Sequence, residues 1–335
     1  MKFLIAGLGS IGRRHLRNLQ ALGEQDILLY RSGRSTLPDD DLAGLPVETD
    51  LDAALSHKPD AVIISNPTVF HLDVAIPAAQ AGCHLLLEKP VSHTWERVDE
   101  LQAALEQGGG KVLMGFQFRF HPGLQRVVDM LAEGVVGRPV SANAHWGEYL
   151  PDWHPWEDYR KSYSARADMG GGVILTLSHP LDYLRWLFGD VSSLWASTAQ
   201  SGELDLDVED TAEIGLEFAN GVIGSVHLDY LQRPPAHTLE IIGSQGTLRW
   251  DNADGAVSLY QVDSGEWEIL PAPDGFERNH LFLAEMKHFL EVIRGNAPPL
   301  CTLEDGQAAL QLALAALRSA RTGQIQRWEI AKHVS

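Results

Sequence analysis

The sequence predicts an α/β chain whose first part is a doubly wound parallel sheet and whose second part is an α+β domain with a large, mainly antiparallel sheet. Three observations predict it. A short apolar run, Phe3-Leu4-Ile5-Ala6, ends in Gly7-Leu8-Gly9-Ser10-Ile11-Gly12, and a helix-capable segment follows from Arg13 to about Leu22. Strand-length apolar runs then alternate with helical stretches as far as Gly115, the rhythm of parallel βαβ units. Beyond Phe188 the pattern becomes alternating residues broken by turns, and Asn220-Gly221 between Glu213–Phe218 and Val222–Leu228 is a hairpin signal.

The glycine run comes first. Gly7 permits a tight turn, Gly9 lets backbone approach a pyrophosphate, and Gly12 lets the helix lie against the strand. The backbone N–H groups of Gly9, Ser10, Ile11 and Gly12, at the positive end of the helix dipole, suit a phosphate. A second strand, Asp26–Tyr30, ends in Tyr30-Arg31-Ser32-Gly33-Arg34. In this fold that strand end meets the adenosine ribose, where an acid would bind the 2′-hydroxyl of NAD. Arg31 and Ser32 instead suit a 2′-phosphate, so NADP is favoured over NAD. Leu37 to Pro46, with Asp39-Asp40-Asp41, reads as a solvated loop.

The strand Ala61–Ile64 ends in Ser65-Asn66-Pro67-Thr68, a helix runs from Val69 to about Gly82, and the strand Cys83–Leu87 ends in Glu88-Lys89-Pro90. A helix over Trp95–Gln107 and a strand at Lys111–Gly115 complete the sheet. Right-handed crossovers place every strand's C-terminal end on one edge, so Gly7, Arg31, Ser65 and Lys89 fall within reach of one cofactor.

Composition shifts across Gly115-Phe116-Gln117-Phe118-Arg119-Phe120-His121-Pro122, which places the domains at 1–119 and 120–335. The second begins with a helix from Leu124 to about Glu133. An aromatic and basic stretch, His145–Arg166, follows. Its Trp153 and Tyr159 offer faces to a sugar ring, while Arg160, Lys161 and Arg166 would hold a carboxylate or phosphate. Packing of the domain's own core is the competing reading of these aromatics. Gly170-Gly171-Gly172 leads into one amphipathic helix through His179 to about Phe188. Thr238–Ile242 and Gly246–Trp250 continue the antiparallel meander, and helices over Glu277–Arg294 and Leu303–Thr322 close the chain.

The 335 residues suffice for two domains, each with its own core. With 26 basic and 45 acidic residues the formal charge is −19, which argues against nucleic acid and against anionic membrane surfaces as partners. Two distant cysteines, Cys83 and Cys301, make no metal-ligand pattern and suggest a reducing, cytoplasmic setting. No metal site is expected.

Two residues carry the expected chemistry. Lys89 ends a core strand beside the expected cofactor, where an ammonium stabilises an alkoxide or carbonyl oxygen. His179, after the glycine run, has the side chain suited to accept the proton of an alcohol losing hydride. Asp182, on the same helix face, reads either as the group that orients that imidazole or as a plain surface acid.

The chain resembles the Gfo/Idh/MocA oxidoreductases, named for glucose–fructose oxidoreductase and inositol dehydrogenase. The resemblance rests on the glycine run at 7–12, on Asn66-Pro67-Thr68 with His71, and on Ala81-Gly82 leading to Glu88-Lys89-Pro90. Gly115–Pro122 and Gly170–Asp182 complete it. It implies a Rossmann domain that binds NADP or NAD through Gly7, Gly9, Ser10, Ile11, Gly12, Arg31, Ser32, Ser65, Asn66, Pro67, His71, Glu88 and Lys89. It implies catalytic roles for Lys89 and His179, with Arg119, Trp153, Tyr159, Arg160, Arg166, Thr176 and His179 on the substrate side. It implies hydride transfer between nicotinamide and a secondary alcohol or ketone of a sugar-like small molecule, neutral or anionic, in a homodimer or homotetramer. The family often has an aspartate one helical turn before the histidine, where this chain has Thr176. The alternatives are a glycosidase that uses NAD through transient redox, and a non-catalytic dinucleotide sensor.

Overall fold

The computed structural model describes residues 1–31, 33, 37 and 42–328, so Ser32, Arg34 and the acid run at 39–41 lie outside the described residues. Two compact units emerge. The first holds a six-stranded parallel sheet in the order β3-β2-β1-β4-β5-β6, from β1 (Lys2–Ala6), β2 (Asp26–Tyr30), β3 (Val47–Glu48), β4 (Ala61–Ile64), β5 (His84–Glu88) and β6 (Val112–Gly115). Strand order reverses between β1 and β4, the switch point outside which such sheets bind ligands. Phe3 to Ala6, Ala61 to Ile64 and Leu85 to Leu87 are fully buried, as expected of parallel strands covered on both faces. The covering helices are α1 (Ser10–Ala21), α2 (Leu51–Ser56), α3 (His71–Gln80) and α4 (Val98–Gly108).

The short β3 and α2 have no counterpart in the sequence reading. A two-residue strand shows no period, but Asp50 was a legible cap: its carboxylate accepts from the Ala53 N–H at 2.8 Å.

The first unit is also discontinuous, unlike the single junction expected at 119/120. Met1–Gln117 is joined by 168–170 and by Glu277–Leu310. Apolar residues return the later segment. Leu281, Phe282, Met286, Phe289 and Leu290 are buried on the helix Asn279–Ile293 (α8 below), which packs on α1 and β6. The Lys111 ammonium donates to the Val292 carbonyl at 2.7 Å, and the Met114 N–H to the Cys301 carbonyl at 3.0 Å.

The second unit holds a nine-stranded sheet. In chain order its elements are α5 (Pro122–Ala132), β7 (Pro139–Gly147), α6 (Val173–Thr176), α7 (His179–Phe188), β8 (Val191–Ala199), β9 (Thr211–Phe218) and β10 (Ile223–Asp229). There follow β11 (Ala236–Gly243), β12 (Gly246–Asp251), β13 (Val257–Gln261) and β14 (Glu266–Leu270). The helices α8 (Asn279–Ile293) and α9 (Leu303–Thr322) come next, and then β15 (Gln326–Arg327). Strand order is β14-β13-β12-β11-β7-β10-β9-β8-β15, antiparallel throughout except that β7 runs parallel to β10. Alternate residues (Val226 and Leu228; His237, Leu239 and Ile241; Leu248 and Trp250) are buried, and α5, α6 and α7 pack on these strands.

One expected helix becomes two. α6 ends at Thr176 and α7 begins at His179, with Pro180 in its first turn. A continuous helix would drive the Pro180 ring into the Thr176 carbonyl four residues back, so the break falls between them.

On the other face of this sheet the His227 imidazole lies 3.1 Å from Asp229 and 2.6 Å from Glu213. Hydrogen bonding to Asp229, outweighing burial and joined by Glu213, raises its pKa to about 9. A raised native pKa contributes stability that is complete below the unfolded value of about 6.5 and is lost as pH passes 9. Thermal stability is therefore expected to fall between those limits, and His227→Gln is expected to flatten that limb. A profile of Tm against pH unchanged by the substitution would refute the assignment. Among the described residues, no helix is long and apolar enough to cross a membrane.

Candidate active site

In the first unit the glycine turn is shaped by contact with β4. Gly7 has φ +92°, and a Cβ there would lie 2.4 Å from the Asn66 nitrogen. A Cβ on Gly12 would lie 1.9 Å from the Gly7 carbonyl oxygen. Gly9 differs: a Cβ there meets nothing within 4 Å. Gly9 is also the N-cap of α1, no side chain caps that end, and the first turn carries no acid. The N–H groups of Ser10, Ile11 and Gly12 thus stand at an uncapped helix start beside open space, the arrangement a pyrophosphate requires. The residues fit a dinucleotide. Arg13, which the sequence reading passed over, braces the turn by donating from Nε to the Leu8 carbonyl at 3.0 Å.

The β4 end contributes unevenly. The Ser65 hydroxyl donates to the carbonyls of Gly7 at 2.9 Å and Ala6 at 3.1 Å, so the expected cofactor contact is a tie between β4 and the glycine turn. Asn66 donates from Nδ2 to the Phe70 carbonyl at 2.9 Å, and its Oδ1 is buried without a hydrogen-bond partner among the described residues. An orphaned acceptor at the sheet edge suits a ligand donor. Pro67 begins the turn that leads into α3.

His71 was expected against the cofactor. Its ring is instead buried between two carbonyls, Pro90 at 2.8 Å from Nδ1 and Asn66 at 2.9 Å from Nε2. Burial lowers its pKa, and the ring ties the Asn66 turn to the Lys89-Pro90 turn. Glu88 is likewise turned inward, at 2.8 Å from His15 Nε2, which removes it from the expected cofactor set. Lys89, half-buried, follows the end of β5 and precedes a cis peptide bond to Pro90.

Arg31 follows the last residue of β2, and its N–H donates to the Glu48 carbonyl at 3.1 Å. β3 thus brings an acid beside the end of β2, but the Glu48 carboxylate lies 2.9 Å from His57.

In the second unit His179 is the first residue of α7 and 1 % exposed. Its ring lies edge-on to Phe118 at 5.0 Å and tilted against Trp146 at 5.5 Å. Around Phe118 stand also His237 of β11, stacked on Trp146 at 4.2 Å, and His121 at the start of α5. The Gly123 N–H donates to His121 Nδ1 at 3.0 Å, which places that ring's proton on Nε2, and burial pushes its pKa down to about 4.

Asp182, expected to orient His179, carries an ion pair to a buried arginine. It pairs with Arg119, whose Nε and Nη2 reach its carboxylate at 3.1 and 2.7 Å in full burial. Arg119 is therefore withdrawn from the expected substrate set. Arg160 is exposed and paired with Asp158 at 2.8 and 3.1 Å, and Tyr159 donates its hydroxyl to the Leu204 carbonyl at 2.8 Å. Arg166 is exposed. Trp153 stands edge-on to Tyr230 at 5.5 Å, and its buried Nε1 has no hydrogen-bond acceptor.

The Tyr230 phenol donates to the Ser164 carbonyl at 3.3 Å and lies beside Thr176. The glycine run does give close approach, but to the protein's own groups: a Cβ on Gly172 would lie 2.4 Å from Glu209 Oε1. Glu209, absent from the sequence reading, accepts from the Ile174 N–H at 3.2 Å at the start of α6, and burial pushes its carboxyl up to about 6. Nothing in its local sequence marks it.

Residues 1–116 match the profile described as an oxidoreductase family with an NAD-binding Rossmann fold, and residues 124–249 match the C-terminal domain of the same GFO/IDH/MocA family. The chain is 29 % identical over 272 residues to the 1,5-anhydro-D-fructose reductase of Ensifer adhaerens, covering 79 % of this chain and 78 % of that one. It is 26 % identical over 343 residues to the myo-inositol 2-dehydrogenase of Thermotoga maritima, covering 95 % and 96 %. The solved structure of a levoglucosan dehydrogenase with NADH and levoglucosan superposes with a TM-score of 0.87 at 19 % identity, over 98 % of this chain and 99 % of that one.

Proposed function

The chain belongs to the Gfo/Idh/MocA family of NAD-binding oxidoreductases, and we propose that it is a dehydrogenase or reductase of a neutral sugar or polyol. The nicotinamide cofactor, when bound, supplies or accepts the hydride. His179 accepts the hydroxyl proton of the alcohol, and the Lys89 ammonium stabilises the oxyanion that develops as the proton leaves.

The observation that carries this reading is the environment of His179. It is a buried imidazole at a helix start, its plane set by Phe118 and Trp146. Such packing holds a base in one orientation, as proton transfer requires. The reductase of Ensifer adhaerens and the dehydrogenase of Thermotoga maritima act, by their names, on sugar-like or polyol substrates. The neutral character rests on the arginines: Arg119 is held by Asp182 and Arg160 by Asp158. The orphaned Trp153 Nε1 suits a substrate hydroxyl as acceptor. The test is reduction of NADP+ or NAD+ at the nicotinamide absorbance band with a panel of neutral polyols, anhydrosugars and their acid counterparts. Turnover only with the acids would refute the neutral assignment, and no turnover in either direction with any of them would refute the reading.

We assign NADP as the preferred cofactor. Arg31 at the end of β2 and the engagement of Glu48 by His57 support it. NADPH is expected to bind more tightly than NADH. Arg31→Ala should erase most of that difference, at roughly 1.5–3 kcal/mol for a hydrogen bond to a charged group. Equal affinities in the unmutated protein, read by nicotinamide fluorescence, would overturn this choice.

A further inference from the structure

Beneath the Glu88-Lys89-Pro90 turn lies a cluster that the proposed reaction does not use. His15 on α1, Glu88 at the end of β5 and Glu285 on α8 place one ligand atom each within 4.8 Å of one another. His15 and Glu285 are fully buried and Glu88 is 8 % exposed. His15 Nε2 lies 2.8 Å from Glu88 Oε1, and the other Glu88 oxygen accepts from the Lys89 N–H at 3.3 Å. Among the described residues, neither carboxylate oxygen of Glu285 has a hydrogen-bond partner.

An isolated buried carboxylate is strongly unfavourable, and native proteins neutralise it by a proton, a partner or a metal. Burial and the neighbouring Glu88 both raise the Glu285 pKa, which states the same demand for positive charge. A single proton serves one pair among the three groups at a time. A divalent ion serves all three lone pairs and cancels both carboxylate charges. One imidazole nitrogen and two carboxylates form a donor set suited to zinc, manganese or cobalt, and three protein ligands are enough for such an ion.

We propose that His15, Glu88 and Glu285 bind one divalent transition-metal ion. The three ligands come from three elements widely separated in sequence, so the ion joins the dinucleotide-binding helix and sheet to α8. Sequence spacing could not show it, because 73 residues separate the first pair and no short motif is formed.

The experiment uses the full chain without a tag, stripped with a chelator and titrated with Co2+ and with Zn2+. Calorimetry gives affinity and stoichiometry, the visible Co2+ bands report ligand geometry, and thermal unfolding reports coupling to the fold. The expected result is saturable binding with a rise in Tm. Glu285→Gln should weaken it by at least ~100-fold, beyond the ~10–100-fold that outer partners of a metal site cost. His15→Gln should weaken it through a second element. His227→Ala, which breaks the other described His/Asp cluster, should leave it unchanged. Either of two results overturns the proposal: no Co2+ bands and no change in Tm in the unmutated chain, or unchanged affinity in a folded Glu285→Gln or His15→Gln variant.

Discussion

His179→Ala is expected to lower kcat by about 10²–10⁴ on a verified substrate, the usual contribution of a positioned general base. Hydride leaves the alcohol carbon only as its hydroxyl proton leaves, so loss of the base is felt in the chemical step and not in cofactor affinity. Because His179 is 1 % exposed among Phe118 and Trp146, alanine also opens a cavity. His179→Gln, which keeps most of the volume, separates the two effects: it should retain the thermal stability and still lose the turnover. Lys89→Ala should do at least as much harm, since electrostatic stabilisation of a developing oxyanion is commonly the largest catalytic term. Lys89 is half-buried and follows a strand without filling the core, so that variant should fold normally. Thr176→Ala should have a smaller effect, limited to one substrate hydrogen bond. Steady-state kinetics beside cofactor titrations decide the matter. Near-normal turnover in His179→Gln would make the histidine a packing residue.

Gly9→Val is expected to abolish dinucleotide binding while leaving the fold intact. A Cβ at Gly9 meets nothing within 4 Å, and the backbone there, at φ −75°, is open to any residue. The added side chain would occupy the space in front of the uncapped N–H groups of α1, where the pyrophosphate must come close. Gly12→Val provides the contrast. Its Cβ would lie 1.9 Å from the Gly7 carbonyl oxygen, so the turn itself must move, at about 1–3 kcal/mol of stability or more. Circular dichroism and nicotinamide fluorescence on the pair separate a lost ligand from a lost fold. Unchanged cofactor binding in Gly9→Val would refute the assignment of the turn.

The elements legible in the sequence were those that carry their own period or punctuation. β1, β2, β4, β5 and β6 show as apolar runs because both their faces are buried. β9 and β10 show because Asn220-Gly221 sets their turn. β7 was not legible, since it lies between β11 and β10 and is joined to neither by a hairpin. For the site, glycine positions were legible because backbone geometry dictates the residue type. Side-chain partners were not. Arg119 and Asp182, 63 residues apart, each read as a free functional group, and the fold made them partners of one another. His71 and Glu88 stand in the expected motifs, but their side chains stabilise the turn that presents Lys89 rather than face outward.

The late return of Glu277–Leu310 to the first unit has a consequence for how the chain is made. On the ribosome, β1 to β6 emerge first, yet the faces of α1 and β6 that α8 covers stay bare until the helix has been translated. About 160 residues lie between Gln117 and Glu277. At ~5–20 residues per second this is a wait of roughly 8–30 s with part of the nucleotide-binding core open to water. The nascent sheet must persist unfinished through the synthesis of eight of the second sheet's nine strands, a period in which exposed apolar surface invites chaperones or neighbouring chains.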